Sequence, residues 1–426
     1  MQQILDLHLH SRYSRACSPQ LTLENMARAC RIKGVDIIAT GDFTHPAWFE
    51  SIKKELIETA PGSGLYKLKT AADDKVKFIL STEVALIYKD GDRCRRIHLV
   101  IHAPNIAAVK ELNKQLAKKY NIHSDGRPIL GISAPELVKL ILKIDQRFLI
   151  YPAHIWTPWF SVFGSKSGFD TLKECFKDQT KNIYAYETGL SSDPEMNWRL
   201  SALDNLTMLS NSDAHSLANI AREANVMEIS EPVTYQAIYD IIKGNKRATD
   251  GSKKLGLKFT IEFYPEEGMY HIDGHRACNF SCEPAQSRKL KNICPVCKKP
   301  LVIGVLNRVE ELADRPIGFR PKNAVGFKKL VELDKIIAEA LGLKSRSSLA
   351  VQKHYQQLIA KFGSELFILL DLDLAQAGQE IDFRIIEGIK RVRSGELEIK
   401  PGFDGQYGEI NIFSAASHRN KQSQLL

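Results

Sequence analysis

Seven short apolar runs in the first half of this 426-residue chain each carry, or end on, histidine, aspartate or glutamate. The runs are residues 3–9, 35–39, 76–80, 96–101, 148–151, 183–186 and 206–209. In order they present His8 and His10, Asp42, Glu83, His98, His154, Glu187, and the pair Asp213 and His215. Short apolar runs bounded by turn residues read as buried strands. His8 and His10 are two apart, so both imidazoles project from one face while Leu7 and Leu9 pack on the other. Residues 21–33, 107–119, 135–142 and 233–242 have helical spacing and lie between the runs, the first with Thr22 as N-cap and Gly34 as its stop. This alternation predicts a parallel α/β fold. In a β/α barrel the strand ends converge on one face, where the chemistry sits. Buried ionisable groups need partners, and a divalent cation suits mixed imidazole and carboxylate donors.

Composition narrows the class. Apolar residues make up 44% of the chain, enough for a large core and two or three domains. A net charge of +9 favours an anionic partner. There is no run of about 18 apolar residues, so no membrane partner is expected. The chain starts on a ligand-bearing strand without a signal-peptide pattern, and a cytoplasmic, nucleoid-associated location is expected. Of eight cysteines, Cys278, Cys282, Cys294 and Cys297 cluster, while Cys17, Cys30, Cys94 and Cys175 are scattered. That is one metal site plus reduced thiols rather than a disulfide framework.

The cluster has the spacing C-x3-C, eleven residues, C-x2-C, which predicts one structural zinc held by four thiolates. The first half is loose enough for His271 or His275 to replace a thiolate. Arg276, Arg288, Lys289, Lys291, Lys298 and Lys299 surround it, as a module gripping a phosphate backbone requires. Residues 251–254 read as a linker and 257–264 as a strand. Residues 330–341, 348–362 and 381–392 have helical spacing, and 399–413 read as a glycine-turned hairpin. The expected domains are a catalytic barrel at 1–250, a zinc module at 251–303, a helical or mixed DNA-binding domain at 304–413, and a mobile tail at 414–426. No G-x-x-x-x-G-K-[ST] loop is present, so ATP-driven activity is not expected.

Several strings are more specific. Asp6-His8-His10, Thr40-Gly41-Asp42, Glu83, His98, His154 and Asp213-His215 resemble the polymerase-and-histidinol-phosphatase (PHP) family of metal-dependent phosphoesterases. The resemblance covers about residues 1–250 and implies a distorted, seven-stranded, TIM-like β/α barrel with two or three divalent ions, zinc, manganese, iron or magnesium. It implies one ion on His8, His10, Glu83 and Asp213, a second on Glu83, His98 and His154, and a third on Asp42 and His215. Asp42 stands where a histidine is usual, and Ala16 and Cys17 stand near a further histidine position, so Cys17 is an additional candidate ligand. His45 and His102 are lesser candidates beside Asp42 and His98. Glu187 is a metal ligand or an orienter of a ligand histidine, counted with the catalytic groups, and Asp193, in a Ser-Ser-Asp-Pro turn beside it, is placed in catalysis or contact with a metal-bound water. The strings P-A-H-I-W-T-P-W-F-S, E-T-G-L-S-S-D-P and S-N-S-D-A-H are not general to that family and resemble its endonuclease Q branch.

That branch implies a DNA repair endonuclease acting on double- or single-stranded DNA with a deaminated base (uracil, hypoxanthine, xanthine) or an abasic site. It would cut 5′ to the lesion and leave 3′-hydroxyl and 5′-phosphate ends. Trp156 and Trp159 are candidates for contacts to bases, and Ser165, Lys166 and Ser167 for a backbone phosphate. A sliding clamp is a further candidate partner, although no clear clamp-binding peptide is present. Two other readings fit part of the pattern: a small-molecule phosphatase, and a zinc-ribbon DNA-binding subunit without catalysis. The long chain beyond residue 250 and the basic charge speak against the first, and donors at nearly every strand end against the second.

Overall fold

The computed structural model describes residues 1–71, 74–244, 249–250, 253–378 and 380–413. Residues 251–252 of the expected linker, and the tail from 414, lie outside them. The chain forms two compact units. The first takes Met1–Arg31, Val35–Ile261 and Val305–Phe327; the second takes Ile32–Gly34, Glu262–Gly304 and the described chain from Lys328. Among the described residues no helix is long and apolar enough to cross a membrane.

The first unit is mixed α/β. Its strands are β1 (Gln2–Asp6), β2 (Ile37–Ala39), β3 (Leu56–Glu58), β4 (Leu65–Leu68), β5 (Lys77–Ile79) and β6 (Ser81–Asp90). There follow β7 (Arg93–His102), β8 (Ile129–Leu130), β9 (Leu149–Pro152), β10 (Ala185–Glu187), β11 (Thr207–Leu209) and β12 (Ala224–Glu228). A large sheet runs in the order Gly256–Glu262, β12, β1, β2, β5, β4, β3; a second runs β8, β6, β7, β9; β10 and β11 form a pair. Parallel pairing holds for β1 with β2, β2 with β5, β6 with β8, and β10 with β11. It fails for β6 with β7, β7 with β9 and β1 with β12, which are antiparallel. Between β6 and β7 the reason is local. Only Gly91 and Asp92 separate β6 from β7, and a two-residue turn can join only antiparallel strands. Gly91 takes φ 61°, the positive value such a turn needs at its first position.

The expected helices form with recognisable ends. Asn105 caps Ile106–Ala117 by accepting from Ala108 N, Ser133 and Glu136 make a capping box on Ala134–Ile144, and Thr234 caps Tyr235–Ile242 through Ala237 N. A helix at Pro46–Glu55 was not expected; it buries Trp48, Phe49 and Ile52. The core is aliphatic and aromatic, with Leu5, Leu7, Ile37, Ile38, Leu99, Val100 and Tyr151 fully enclosed.

In the second unit, a short hairpin of Asp273–His275 with Phe280–Cys282 precedes the helix Pro284–Lys289. Helices Leu333–Ala340, Leu349–Phe362, Glu365–Leu370, Leu374–Ala377 and Phe383–Ser394 follow, and Glu398–Lys400 pairs with Glu409–Asn411. Ile336, Ile337, Ile385 and Ile389 are buried at the apolar faces of their helices.

Candidate metal centre

β1 leaves its ladder at Asp6, yet the chain stays extended for four more residues. His10 N donates to Ala214 O at 3.2 Å, Asp213 N donates to His8 O at 2.9 Å, and Leu9 bridges Ala214 in parallel. The alternation therefore persists: Leu7 and Leu9 are buried among apolar groups, and His8 and His10 face a common centre. Asp213 arrives there from the turn after β11. The β6–β7 hairpin brings two more groups by register. Ala85 lies opposite His98, so Glu83, two residues back on the same face, is diagonal to His98. His154 follows β9.

Two donor groups result, His8, His10 and Asp213, and Glu83, His98 and His154. Within each, one donor atom per residue lies within 4.8 Å of the others. Glu83 links them: its Oε1 lies 2.8 Å from His98 Nδ1 and 3.2 Å from His154 Nε2, and its Oε2 lies 3.3 Å from His10 Nε2. Asp213 Oδ1 lies 3.2 Å from His10 Nε2 and 3.8 Å from His8 Nε2.

The other ring nitrogens are engaged away from this centre. His8 Nδ1 meets Glu187 Oε1 at 3.0 Å, and Glu187 is itself held by Asn211 Nδ2 at 2.8 Å and by His154 N at 2.8 Å. His10 Nδ1 meets Asp42 Oδ1 at 3.0 Å. A carboxylate on Nδ1 fixes the ring and turns the Nε2 lone pair inward. The inward atoms His8 Nε2, His10 Nε2 and Asp213 Oδ1 are buried and lack a hydrogen-bond partner. Buried polar atoms are rarely left so, and a divalent cation satisfies all three. The residues present therefore fit a metal.

The electrostatics agree. Burial alone would raise the Glu83 carboxyl, but His98, Arg127 and His8 hold it well below the usual carboxylate range. Burial would likewise raise Asp213, yet His10 and His8 pull it far down. His8 and His10 are pushed above the ordinary imidazole value, against their own burial, by Glu187 and Glu83 in the first case and Asp42 and Asp213 in the second. The cluster thus holds anionic carboxylates that attract positive charge, which a metal ion can supply in place of protons. His98 is pulled down to about 4, chiefly by burial, and so is neutral near pH 7, as a metal ligand must be.

Backbone strain marks the same place. Asp42, His154 and Asp213 take φ of 48°, 28° and 46°, a region non-glycine residues seldom enter. Gly189, at φ 63°, passes so close that a Cβ there would lie 2.4 Å from His154 Cβ.

Several expected groups are placed differently. Asp42 Oδ2 already accepts from Ser11 N, Ser11 Oγ and Ser14 Oγ at 2.6, 2.7 and 2.9 Å. With Oδ1 on His10, both Asp42 oxygens are engaged by protein groups. His215 Nδ1 lies 2.8 Å from the Asp213 carbonyl, and among the described residues neither Asp42 nor His215 joins a donor group of three. Burial pushes the Cys17 thiol up to about 12, and among the described residues Cys17 joins no donor group of three. His45 stacks on Tyr13 and meets His123 O, and His102 meets Tyr151 OH; neither is in a donor group. Asp193 caps Pro194–Asn197 by accepting from Met196 N at 2.9 Å.

Trp156 is 1% exposed; it packs on Phe163 and donates Nε1–H to Asn197 Oδ1, so it belongs to the core and cannot stack on a base. Trp159 is 40% exposed, and Ser165 and Lys166 are also exposed. Ser167 is buried, its hydroxyl directed to Arg96 O. In the second unit, His275, Cys278, Cys294 and Cys297 bring their donor atoms together. Cys282 is not in that group; it is buried with Cys294 and Leu301 in a small cluster against which Cys278 and Cys297 also pack. His275 Nδ1 lies 3.4 Å from Cys297 Sγ. His271 is not in the group.

Sequence reading missed Arg127, whose guanidinium lies 3.0 Å from Glu83 Oε2. It missed Asn211, which holds both Glu187 and the Leu7 N–H. Neither is a metal-ligand side chain on an apolar run, and Asn211, though inside the string S-N-S-D-A-H, is not a residue type that such a run singles out.

A family model described as MJ0043 C-terminal domain matches residues 332–396. The chain is 31% identical over 259 residues, 60% of its length, to the uncharacterized protein MJ0043 of Methanocaldococcus jannaschii, and the match spans 31% of that relative. Among solved structures, it is similar to the lesion-specific endonuclease PfuEndoQ from Pyrococcus furiosus. There the identity is 31% and the TM-score 0.83, covering 96% of this chain and 95% of the other. It is equally similar to endonuclease Q in complex with a 27-mer duplex substrate bearing an abasic lesion at the active site, with 31% identity, a TM-score of 0.82 and 97% coverage of each chain.

Proposed function

The chain belongs to the endonuclease Q family, and on that footing we propose that it is a metal-dependent DNA repair endonuclease. Its cleavage centre is His8, His10, Glu83, His98, His154 and Asp213. The carrying observation is the set of buried inward donors at His8 Nε2, His10 Nε2 and Asp213 Oδ1, beside a carboxylate shared with His98 and His154. His8, His10, Glu83 and Asp213 would hold one ion, and Glu83, His98 and His154 a second; zinc, iron and manganese suit such mixed imidazole and carboxylate donors better than magnesium, which prefers oxygen ligands. Bound there, the ions supply charge neutralisation at the phosphate and hydroxide at neutral pH. Glu187 and Asp42 keep two ligand imidazoles aimed. The strands around the centre are read as the distorted barrel of the PHP phosphoesterases.

The substrate is DNA with an abasic site or a deaminated base, uracil, hypoxanthine or xanthine, cut on the 5′ side of the lesion. A damaged or mismatched base leaves the stack at least cost, which favours its capture over a paired base. Trp159, Ser165 and Lys166 supply exposed contacts to the strand. His275, Cys278, Cys294 and Cys297 hold one structural zinc, with the basic residues around it facing the backbone.

A duplex series with one central position varied tests this. Nicking is expected at uracil, hypoxanthine, xanthine and abasic positions, with ligatable 5′-phosphate and extendable 3′-hydroxyl ends. No nicking at any lesion, or nicking equal at a normal base, contradicts it.

A further inference from the structure

Arg127 is held in place from several sides. Gly126 N donates to Tyr13 O at 3.0 Å, and Gly126 O accepts from Thr44 Oγ1 at 3.2 Å. Arg127 N donates to Asp125 Oδ1 at 3.0 Å, and Ala85 N donates to Pro128 O at 3.0 Å. A Cβ on Gly126 would lie 2.4 Å from both Asp42 Oδ2 and Ser14 Oγ. Only glycine lets this loop pass so close to the groups that orient His10. The loop is thereby fixed, and it delivers the guanidinium to Glu83 Oε2 at 3.0 Å. The Arg127 side chain is 24% exposed, whereas Glu83 is fully buried. The cation thus reaches the shared carboxylate from the solvent side, from which a substrate must come.

A guanidinium carries five N–H donors in a planar fork, never loses its charge near neutral pH, and matches a phosphate two bonds at a time. One N–H on Glu83 leaves donors to spare. A positive group that merely neutralised Glu83 would need neither the fork nor the opening to solvent.

Resting on the nuclease reading above, we propose that Arg127 is a further catalytic residue, which binds the non-bridging oxygens of the scissile phosphate. As the oxygen of water bonds to phosphorus, negative charge grows on those oxygens, and Arg127 donates to them. The P–O3′ bond then breaks. One water proton ends on O3′, and the other is shed to solvent from the new 5′-phosphate. Arg127 keeps its own protons throughout.

The test uses full-length protein, an abasic-site duplex and the variants Arg127→Ala and Arg127→Lys. Three quantities are read: kcat in single turnover, duplex affinity by fluorescence anisotropy, and bound metal by mass spectrometry. Arg127→Ala is expected to lower kcat about 100-fold or more, the scale for removing one donor to a developing oxyanion. Metal content and duplex affinity should stay within a few-fold of the parent, and Arg127→Lys should recover part of kcat. A kcat within a few-fold of the parent overturns the proposal. So does a loss that tracks lost metal and is reversed by adding metal, because Arg127 then serves only Glu83. A parent that binds metal but cuts no lesion duplex overturns the nuclease reading and this proposal with it.

Discussion

His8 and His10 each divide their labour between two nitrogens. Nδ1 is tied to a carboxylate, Glu187 or Asp42, and Nε2 is left for the centre. Removing the charge of Glu187 while keeping its shape isolates that role. Glu187→Gln is expected to weaken metal retention, and nicking with it, by roughly 10–100-fold, the range for an outer partner of a ligand histidine. Metal titration against a competing chelator measures this; unchanged affinity would show that the contact is incidental. At this scale the sequence was informative about donors and poor about partners. His8, His10, Glu83, His98, His154 and Asp213 each lie in or just past an apolar run, which makes them visible. That both Asp42 oxygens are engaged depends on Ser11 and Ser14, whose hydroxyls fill the second one. Small polar residues in a loop give no such signal in one sequence.

The β6–β7 hairpin shows what is hidden at the next scale. The register that sets Glu83 diagonal to His98 depends on which strands pair, and apolar alternation does not report pairing. The turn residues Gly91 and Asp92 would have indicated an antiparallel hairpin, but the run at 81–90 was not read as a strand. In the proposed zinc module, cysteine spacing points to the region, and the donor group there includes His275 and not Cys282. Cys282 closes the strand Phe280–Cys282 opposite Asp273. His275→Ala is therefore expected to lose one equivalent of tightly held zinc and to melt the module at lower temperature, since a structural zinc is part of the folding energy. Cys282→Ala is expected to keep that zinc. Zinc analysis and thermal unfolding of the two variants decide it, and the reverse pattern would restore the four-cysteine site.

For the molecule as a whole, a change in pattern near residue 250, from strands ending on metal donors to a cysteine cluster and helices, was legible, while the first compact unit runs on to Ile261. The return of Val305–Phe327 to the first unit was not legible, because it is held by side chains remote in sequence. Buried Arg308 illustrates this: it donates to Phe163 O and Phe169 O and pairs with Asp170, all in the 163–170 loop. Helical periodicity in 305–312 says which face is apolar, not which partner it meets. The net charge of +9 suits a DNA partner, and the donor cluster is where the proposed cleavage would take place. The most direct measurement is single-turnover nicking of an abasic-site duplex by the parent and by Asp213→Ala, with duplex affinity measured on the same samples. Loss of the Asp213 donor is predicted to cut nicking by more than the roughly 10–100-fold expected for an outer partner, while duplex binding persists. If Asp213→Ala nicks the lesion as fast as the parent, the centre assigned here is not where the phosphodiester is cut.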